Sequence, residues 1–396
     1  MIAVVLGHNY TSRLGMIRAV GSAGCQVDVF ATFINKPKNK KSQIDFYSKY
    51  VNSYECFSIK DPEIIIKRLI EKYDKKKFVF LLPTDDFCAS LIDSHLDCLK
   101  DSFIIPNIDN KPGEINRLMD KDYQKALANL VGLPTAKGWT VKIDDGHYSI
   151  PSDIEYPCFT KPQISLRGGK GEFMQICNDE NELDIVLRNI SKKAKNCPML
   201  IEQYIPIEKE YATLGVRNGN LFILPYMLHL KEQGHGNHRG VALSGDIIPI
   251  EQFRSLEEKI HLLMDKIGFT GLFDVDLYEH NNIIYFNELN LRFGASGYAV
   301  TRMGVNLPFE YIHSFKPGEL HLTRQTREDD VKTYLNEKVN FDSYINGFIS
   351  LEQYKKQQQP DITFIQSRED KKPYFIFTIW TYYMRLKRII TKKSRT

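Results

Sequence analysis

Glu288, Asn290 and Arg292 occupy alternate positions of NIIYFNELNLR (282–292), a run that is otherwise strand-like. In an extended strand, alternate side chains leave the same face. A carboxylate, an amide oxygen and a guanidinium therefore converge on one spot. Asp276 lies on the other arm of the same segment, GLFDVDLYEHNNIIYFNELNLR (271–292), which reads as a hairpin turning at His280-Asn281-Asn282. Asp276, Glu288 and Asn290 together offer hard oxygen ligands on paired strands, the set that Mg²⁺ takes when it also keeps waters and phosphate oxygens; Mn²⁺ suits the same donors. Arg292, two residues on, is placed to steady negative charge developing in a group transfer. The plainer reading of Asp276 facing Glu288 is a solvated pair, but like charges across paired strands are destabilising without a cation.

A second stretch, YPCFTKPQISLRGGKGEFMQI (156–176), supplies the countercharge. A strand ends at Lys161-Pro162. A loop of Ser165, Arg167, Gly168, Gly169, Lys170 and Gly171 follows, and a second strand is expected from Glu172. Glycine at a hairpin tip lets backbone N–H groups approach phosphate oxygens closely, because no Cβ intervenes. Both flanks have strand character, whereas a Walker loop would open a helix. Lys161, Arg167, Lys170 and Lys121 are the candidate phosphate cations. Taken together, the two stretches describe a site for magnesium-bound ATP spread over two sheets.

The elements that must position these residues are legible from periodicity. IAVVLG (2–7), a helix from Thr11 or Ser12 to near Gly24, and QVDVFAT (26–32) open the chain as β–α–β. Later strands FVFLLPTDD (78–86) and SFIIPN (102–107) complete a parallel α/β domain. Its first loop, GHNYTSRLG, is not a dinucleotide fingerprint; His8, Asn9, Asp85 and Asp86 are weak site candidates at strand ends, with helix caps as the alternative. A helix and strand over 120–141, strands over 198–245, and an amphipathic helix over 251–267 ending at Gly268 surround the site segments. KKQQQPD (355–361) reads as a solvated linker.

Composition bounds the function classes. The chain has 396 residues, 42% hydrophobic and 26% charged, with a net charge of +4, too small to argue for nucleic acid. Its seven cysteines are scattered without a CxxC pair, which fits free thiols in a reducing cytosol better than a disulfide scaffold or zinc site. The opening MIAVVLGHN reads as a strand rather than a signal peptide, and no apolar run approaches the roughly 18 residues that span a bilayer.

The order of these motifs resembles the ATP-grasp superfamily over about residues 1–315. The carriers are MDKDYQK, FTKP, SLRGGKG and the terminal E-x-N-x-R. The resemblance implies an α/β chain of three parts: a Rossmann-like pre-ATP-grasp domain over 1–115, an ATP-grasp domain over 116–320 with two antiparallel subdomains clamping ATP (the lid-like one about 140–205), and an extension over 321–396. It implies roles as well. Lys121 and Lys161 resemble the nucleotide-phosphate lysines, and Gly168, Gly169 and Gly171 the loop closing on the triphosphate. Glu202, Gln203, Tyr204 and Ile205 resemble the adenine-binding hinge, and Glu210 the ribose ligand. Asp276, Glu288 and Asn290 resemble the Mg²⁺ ligands, with Asp at 276 where many relatives have Glu, and Arg292 the residue near the transferred phosphoryl. The implied reaction is ATP-dependent joining of a carboxylate to an amine through an acyl phosphate. The alternative is a phosphotransferase or nucleotide-binding protein on the same fold. The opening GHNYTSRLGMIRAVGSAGCQV is most similar to bacterial amino-acid ligases of the D-aspartate ligase type, which points to an amino acid or cell-envelope precursor as substrate. Many relatives are dimers, so the resemblance admits a homodimer.

Two segments remain. HLKEQGHGNHRGVALSG (229–245) offers Lys231, His235, His238 and Arg239, of which Arg239 suits a bidentate carboxylate clamp; the histidine spacing matches no strong metal pattern. Ser296 and Tyr298 are placed either to touch substrate or to cap a helix. The last 26 residues carry eight Lys or Arg and no carboxylate. Within them Phe375, Ile379, Tyr382, Leu386 and Ile390 line one face if the segment is helical, near Arg385, Arg388 and Lys392. Aromatics beside cations fit peripheral contact with the inner face of a membrane through 374–396; the alternative is a segment of strand character docked on the body.

Overall fold

The computed structural model describes residues 1–34, 43–74, 76, 78–164, 173–238, 240–316 and 329–393. Strands β1 (Ile2–Gly7), β2 (Gln26–Phe33), β3 (Val51–Ser58), β4 (Val79–Pro83) and β5 (Phe103–Ile104) form a sheet in the order β3-β2-β1-β4-β5, every pair parallel. Helix α1 (Tyr10–Ser22) covers one face, and α2 (Pro62–Tyr73), α3 (Asp86–Ser94) and α4 (Leu96–Leu99) contribute to the other. A parallel sheet covered on both faces requires continuous apolar strands, and β1 and β4 are buried almost throughout. The expected α/β opening is observed. Two elements were not foreseen: β3, whose alternation is broken by polar residues, and the amphipathic α2.

After β6 (Asn107–Ile108) and α5 (Glu114–Arg117), α6 (Lys121–Leu130) leads into a second, four-stranded antiparallel sheet. It contains β7 (Gly138–Val141), β8 (Cys158–Pro162), β9 (Ile176–Cys177) and β10 (Met199–Gln203) in the order β7-β10-β8-β9. Helix α7 (Glu180–Lys193), capped by Asp179, packs Leu183, Leu187 and Ile190 against it to make a separate small core. The strand described after the glycine-rich stretch begins at Ile176; Arg167, Gly168, Gly169 and Gly171 lie outside the described residues, as does Lys170.

The third sheet is the largest. Its path runs β16 (Ile283–Asn290), β15 (Phe269–His280), β11 (Lys209–Asn218), β13 (Tyr226–Gln233), β14 (Ala242–Pro249), β17 (Lys332–Leu335), β18 (Ile362–Thr363), with β12 (Leu221–Ile223) and β6 attached at its side. Helix α8 (Arg254–Ile267), closed by Gly268 at φ 73°, covers one face with Ile260, Leu263 and Met264. The left-handed φ at its end is the reason glycine stands there. Helices α9 (Gly297–Arg302) and α10 (Leu307–Phe315) lie between the large sheet and α1, and one continuous core is shared by the first and third sheets.

The C-terminal segment is built into this body. β17 pairs antiparallel with β14, and β18 pairs parallel with β17. Helices α11 (Glu337–Ile345), α12 (Leu351–Lys356) and α13 (Lys372–Lys393) follow, so the expected linker at 355–361 instead ends a helix and leads straight into β18. Arg18 of α1 is buried and bonds Asp370 Oδ2 at 2.9 Å, as well as the carbonyls of Phe364, Ile365 and Asp370. Glu337 accepts from the backbone N–H groups of Phe364, Ile365 and Gln366. Residues 374–390 are helical, not extended, because their apolar pattern gives a helix two usable faces.

Candidate active site

β15 and β16 carry the oxygen donors. Phe273, Val275 and Leu277 are buried in the core under α8, so the even positions Asp274, Asp276 and Tyr278 face the opposite side. The register sets Asp274 against Asn290 and Asp276 against Glu288, a two-by-two block of oxygen-bearing side chains. Asn290 Nδ2 donates to Asp276 Oδ2 at 3.2 Å. Next comes an irregularity: Asp276 pairs with Glu288 but Leu277 pairs with Phe286, which leaves Asn287 as the extra residue of a bulge. Tyr285 stacks on Tyr278, 5.3 Å between ring centroids, and so faces the site. Strict alternation from Tyr285 would turn Asn287 and Leu289 toward the site and bury Glu288. The bulge resets the phase, and Leu289 joins the core instead.

The lysines come from α6 and β8. Asp120 caps α6, accepting from the N–H groups of Asp122 and Tyr123 at 2.9 and 3.2 Å. Its carboxylate also accepts from Gln163 Nε2 at 2.9 Å, and Lys121 N donates to Gln163 O at 3.1 Å, so the end of β8 is fixed to the start of α6. Lys121 and Lys125, one turn apart on α6, thereby meet Lys161 on β8. Lys121 Nζ bonds Glu288 Oε1. Lys125 Nζ and Lys161 Nζ take the two oxygens of Glu202 at 2.7 and 2.8 Å, and Lys161 also reaches Asn287 Oδ1 at 3.4 Å. Between the lysines of α6, buried Gln124 clamps β16: its Nε2 donates to Leu289 O and its Oε1 accepts from Leu289 N, both at 2.8 Å.

Arg292, the third residue of the alternating set, lies past the end of β16. Its Nε donates to Asp86 Oδ1 and its Nη1 to Asp274 Oδ2, both at 3.0 Å. It therefore joins the parallel sheet's α3 to the oxygen block. Burial works against its charge, but Asp86, Asp274 and Asp276 outweigh burial and hold the guanidinium above its ordinary value. Asp276 shows the opposite imbalance. Burial first, then Asp274 and Glu288, push its carboxyl up to about 8, with Arg292 and Asn290 opposing. Asp274 is raised by burial too, and its buried Oδ1 has no hydrogen-bond partner among the described residues. Among the described residues no group of three or more His, Cys, Asp or Glu is arranged to hold a metal ion. The set that suits one is mixed, with Asp276, Glu288 and the Asn290 amide as donors and Asp274 behind them. Crowded carboxylates and an orphaned oxygen fit a divalent cation, whose charge would relieve both. Glu202 is the balanced case: burial alone would raise it, and Lys161 and Lys125 hold it below the ordinary range. Burial lowers Lys125, with Glu202 opposing.

The residues expected to form an adenine hinge lie at the end of β10 and just after it. The N–H of Gln203 donates to Lys137 O at 2.9 Å and that of Tyr204 to Pro157 O at 3.0 Å, so both are already engaged. Glu202 points its carboxylate at lysines, and Ile205 is half-buried. Glu210 of β11, opposite Tyr278, accepts from Gln233 Nε2. Arg239 lies outside the described residues. Its neighbours dock on α11, where His238 Nε2 lies 2.7 Å from Asp342 and His235 stacks on Phe348, while Lys231 pairs with Asp246 at 2.8 Å. Of the weak candidates, Asn9 and Asp85 are helix caps, accepting from Thr11 N and Cys88 N. His8 Nδ1 lies 3.0 Å from Thr32 O, and only Asp86 reaches the site, through Arg292. Tyr298 is buried against Ser367 and beneath Arg18, and Ser296 precedes α9. Sequence reasoning missed Lys125, Gln124, Asp274 and Asn287. Lys125 was findable, being one turn from Lys121 on the same helix face; Asn287 was not, because a bulge leaves no periodic trace.

Residues 126–306 match the ATP-grasp domain family. The chain is 29% identical over 276 residues to formate-dependent phosphoribosylglycinamide formyltransferase of Bacillus subtilis (strain 168), covering 66% of this chain and 65% of that protein. It is 26% identical over 283 residues to D-aspartate ligase of Enterococcus faecium (strain Aus0004), with the same 66% and 65% coverage. Both matches thus span slightly under two-thirds of the relatives' length. N5-carboxyaminoimidazole synthetase of Staphylococcus aureus, complexed with ADP, superposes with a TM-score of 0.61 at 18% identity, over 88% of this chain and 85% of that one. Sheet order, the match and the superposition agree: residues 126–306 match the ATP-grasp domain family and carry its fold.

Proposed function

We propose that the chain is an ATP-dependent ligase that activates a carboxylate, of an amino acid or cell-envelope precursor, as an acyl phosphate and joins it to an amine, releasing ADP and phosphate. The observation that carries this reading is the meeting of Lys121 with Glu288: a phosphate lysine from one segment and a metal carboxylate from another share one place. D-aspartate ligase among the relatives supports the carboxylate–amine class by name.

Each group has a task in this reading. Lys121 and Lys161 exchange their present carboxylate partners for triphosphate oxygens, and Lys125 keeps Glu202 ionised beside them. Asp276, Glu288 and Asn290 hold Mg²⁺, which when bound neutralises phosphate charge and polarises the phosphoryl group. Arg292, fixed by Asp86 and Asp274, stabilises charge at the transferred phosphoryl. Positioning and charge neutralisation, rather than covalent catalysis, are what phosphoryl transfer asks of a protein. Backbone carbonyls and the N–H of Ile205 serve the adenine, since those of Gln203 and Tyr204 are spent. Arg167, Gly168, Gly169 and Gly171 cover the triphosphate and keep water from the acyl phosphate, and Arg239 clamps the acid. Seven cysteines, with no disulfide among the described residues, fit a cytoplasmic location.

The test is ADP release measured over a panel of amino acids, each with and without amine acceptors. Release that needs both an acid and an amine, with an amide recovered by mass spectrometry, is the expected result. A stable phosphorylated product formed without amine would replace ligation by phosphotransfer.

A further inference from the structure

Helix α13 is docked by one face and bare on the other. On the docked face, Phe377 and Trp380 meet Phe341, with ring centroids 6.3 and 5.2 Å apart, and the Arg385 guanidinium lies 5.1 Å from the Tyr354 ring centroid. Arg388 Nη1 adds a 2.7 Å bond to Tyr344 O. Facing away are Phe375, Ile379, Tyr382, Tyr383, Leu386, Ile389 and Ile390, each between 51% and 67% exposed. At 100° and 1.5 Å per residue these seven form a stripe roughly 120° wide and about 22 Å long. With large side chains of roughly 200 Å² each, the exposed area is on the order of 800 Å², more than the few hundred Å² a monomer's largest patch ordinarily shows.

Lysines flank the stripe. Lys371, Lys372 and Lys387 are exposed beside it, and the last 26 residues hold eight Lys or Arg with no Asp or Glu. Among the described residues no helix is long and apolar enough to cross a membrane. An apolar face with aromatic side chains, flanked by lysines, is complementary to an anionic lipid interface in which a helix lies flat. A second copy is the poorer occupant, because pairing two such faces brings Lys371, Lys372 and Lys387 of one near the same lysines of the other. We propose that α13 seats the protein on an anionic phospholipid surface, with the stripe in the headgroup–acyl boundary and the lysines on lipid phosphates.

The full-length chain is sedimented with phosphatidylglycerol–phosphatidylcholine vesicles and with phosphatidylcholine vesicles alone. Binding to the anionic vesicles only, weakening as salt is added, is the expected result. The double variant Ile379→Glu/Leu386→Glu should bind about tenfold more weakly, and so should Lys371→Glu/Lys372→Glu, with thermal melting curves reporting that each is folded. If the apolar pair unfolds the chain, Leu386→Ser and the lysine pair decide the matter. Equal binding to neutral vesicles, or unchanged binding in the lysine variant, overturns the proposal. So does a dimer in sedimentation velocity that Leu386→Ser dissociates while vesicles capture nothing.

Discussion

At the scale of single residues, the site is a set of opposed charges whose balance is uneven. Lys161 and Glu288 lie at the two ends of the proposed nucleotide contact, and replacing either by Ala should lower ATP turnover by at least about 100-fold; an ADP-release assay reads this, and near-normal turnover in either variant defeats the assignment. Glu202 gives a pH-dependent check. Its carboxyl lies below the ordinary range when folded, so its contribution to stability is complete above the unfolded value and is lost as pH falls through the folded one. Glu202→Gln leaves two buried ammonium groups without their counterion. It should cost about 3 kcal/mol at neutral pH and flatten the acid limb of a plot of stability against pH from urea melts. An acid limb like that of the parent would remove Glu202 from the balance.

At the scale of elements, what matters is how β16 is aimed. Gln124 is the clamp, and Gln124→Ala leaves the buried Leu289 N–H and carbonyl unpaired. The expected loss is roughly 1–3 kcal/mol in urea melts, together with weaker nucleotide binding by calorimetry. Unchanged affinity would mean that β16 is held by its β15 pairing alone. This element also marks the boundary of what the sequence discloses. The hairpin of β15 and β16, the helix opening the 120–141 stretch and the amphipathic α8 were legible, because each rests on a local period. The bulge at Asn287, the carboxylate of Asp274 and the joining of β17 and β18 to the large sheet were not. Short strands carry too few residues for a period, and a partner distant in the chain leaves no local mark. Residues 374–390 were legible as a helical stripe but equally as a strand, since Tyr, Phe, Ile and Thr favour both readings until packing decides.

At the scale of the whole molecule, two arginines, Arg18 buried and Arg292 partly buried, bind parts that are remote in the chain. Arg292 joins α3 of the parallel sheet to the end of β16. Asp86→Asn should lower ATP turnover while leaving nucleotide affinity close to the parent's, because the guanidinium loses a support but the lysines do not; equal loss of both would assign Asp86 to binding. Arg18 joins α1 to Asp370 across 352 positions. A ribosome adding roughly 5–20 residues per second would finish α1 about 17–70 s before its acidic partner is made. Until then Arg18 lacks the carboxylate and carbonyls that receive it in the folded chain, so the face of the first sheet that α1 covers can close fully only once the last segment has been translated.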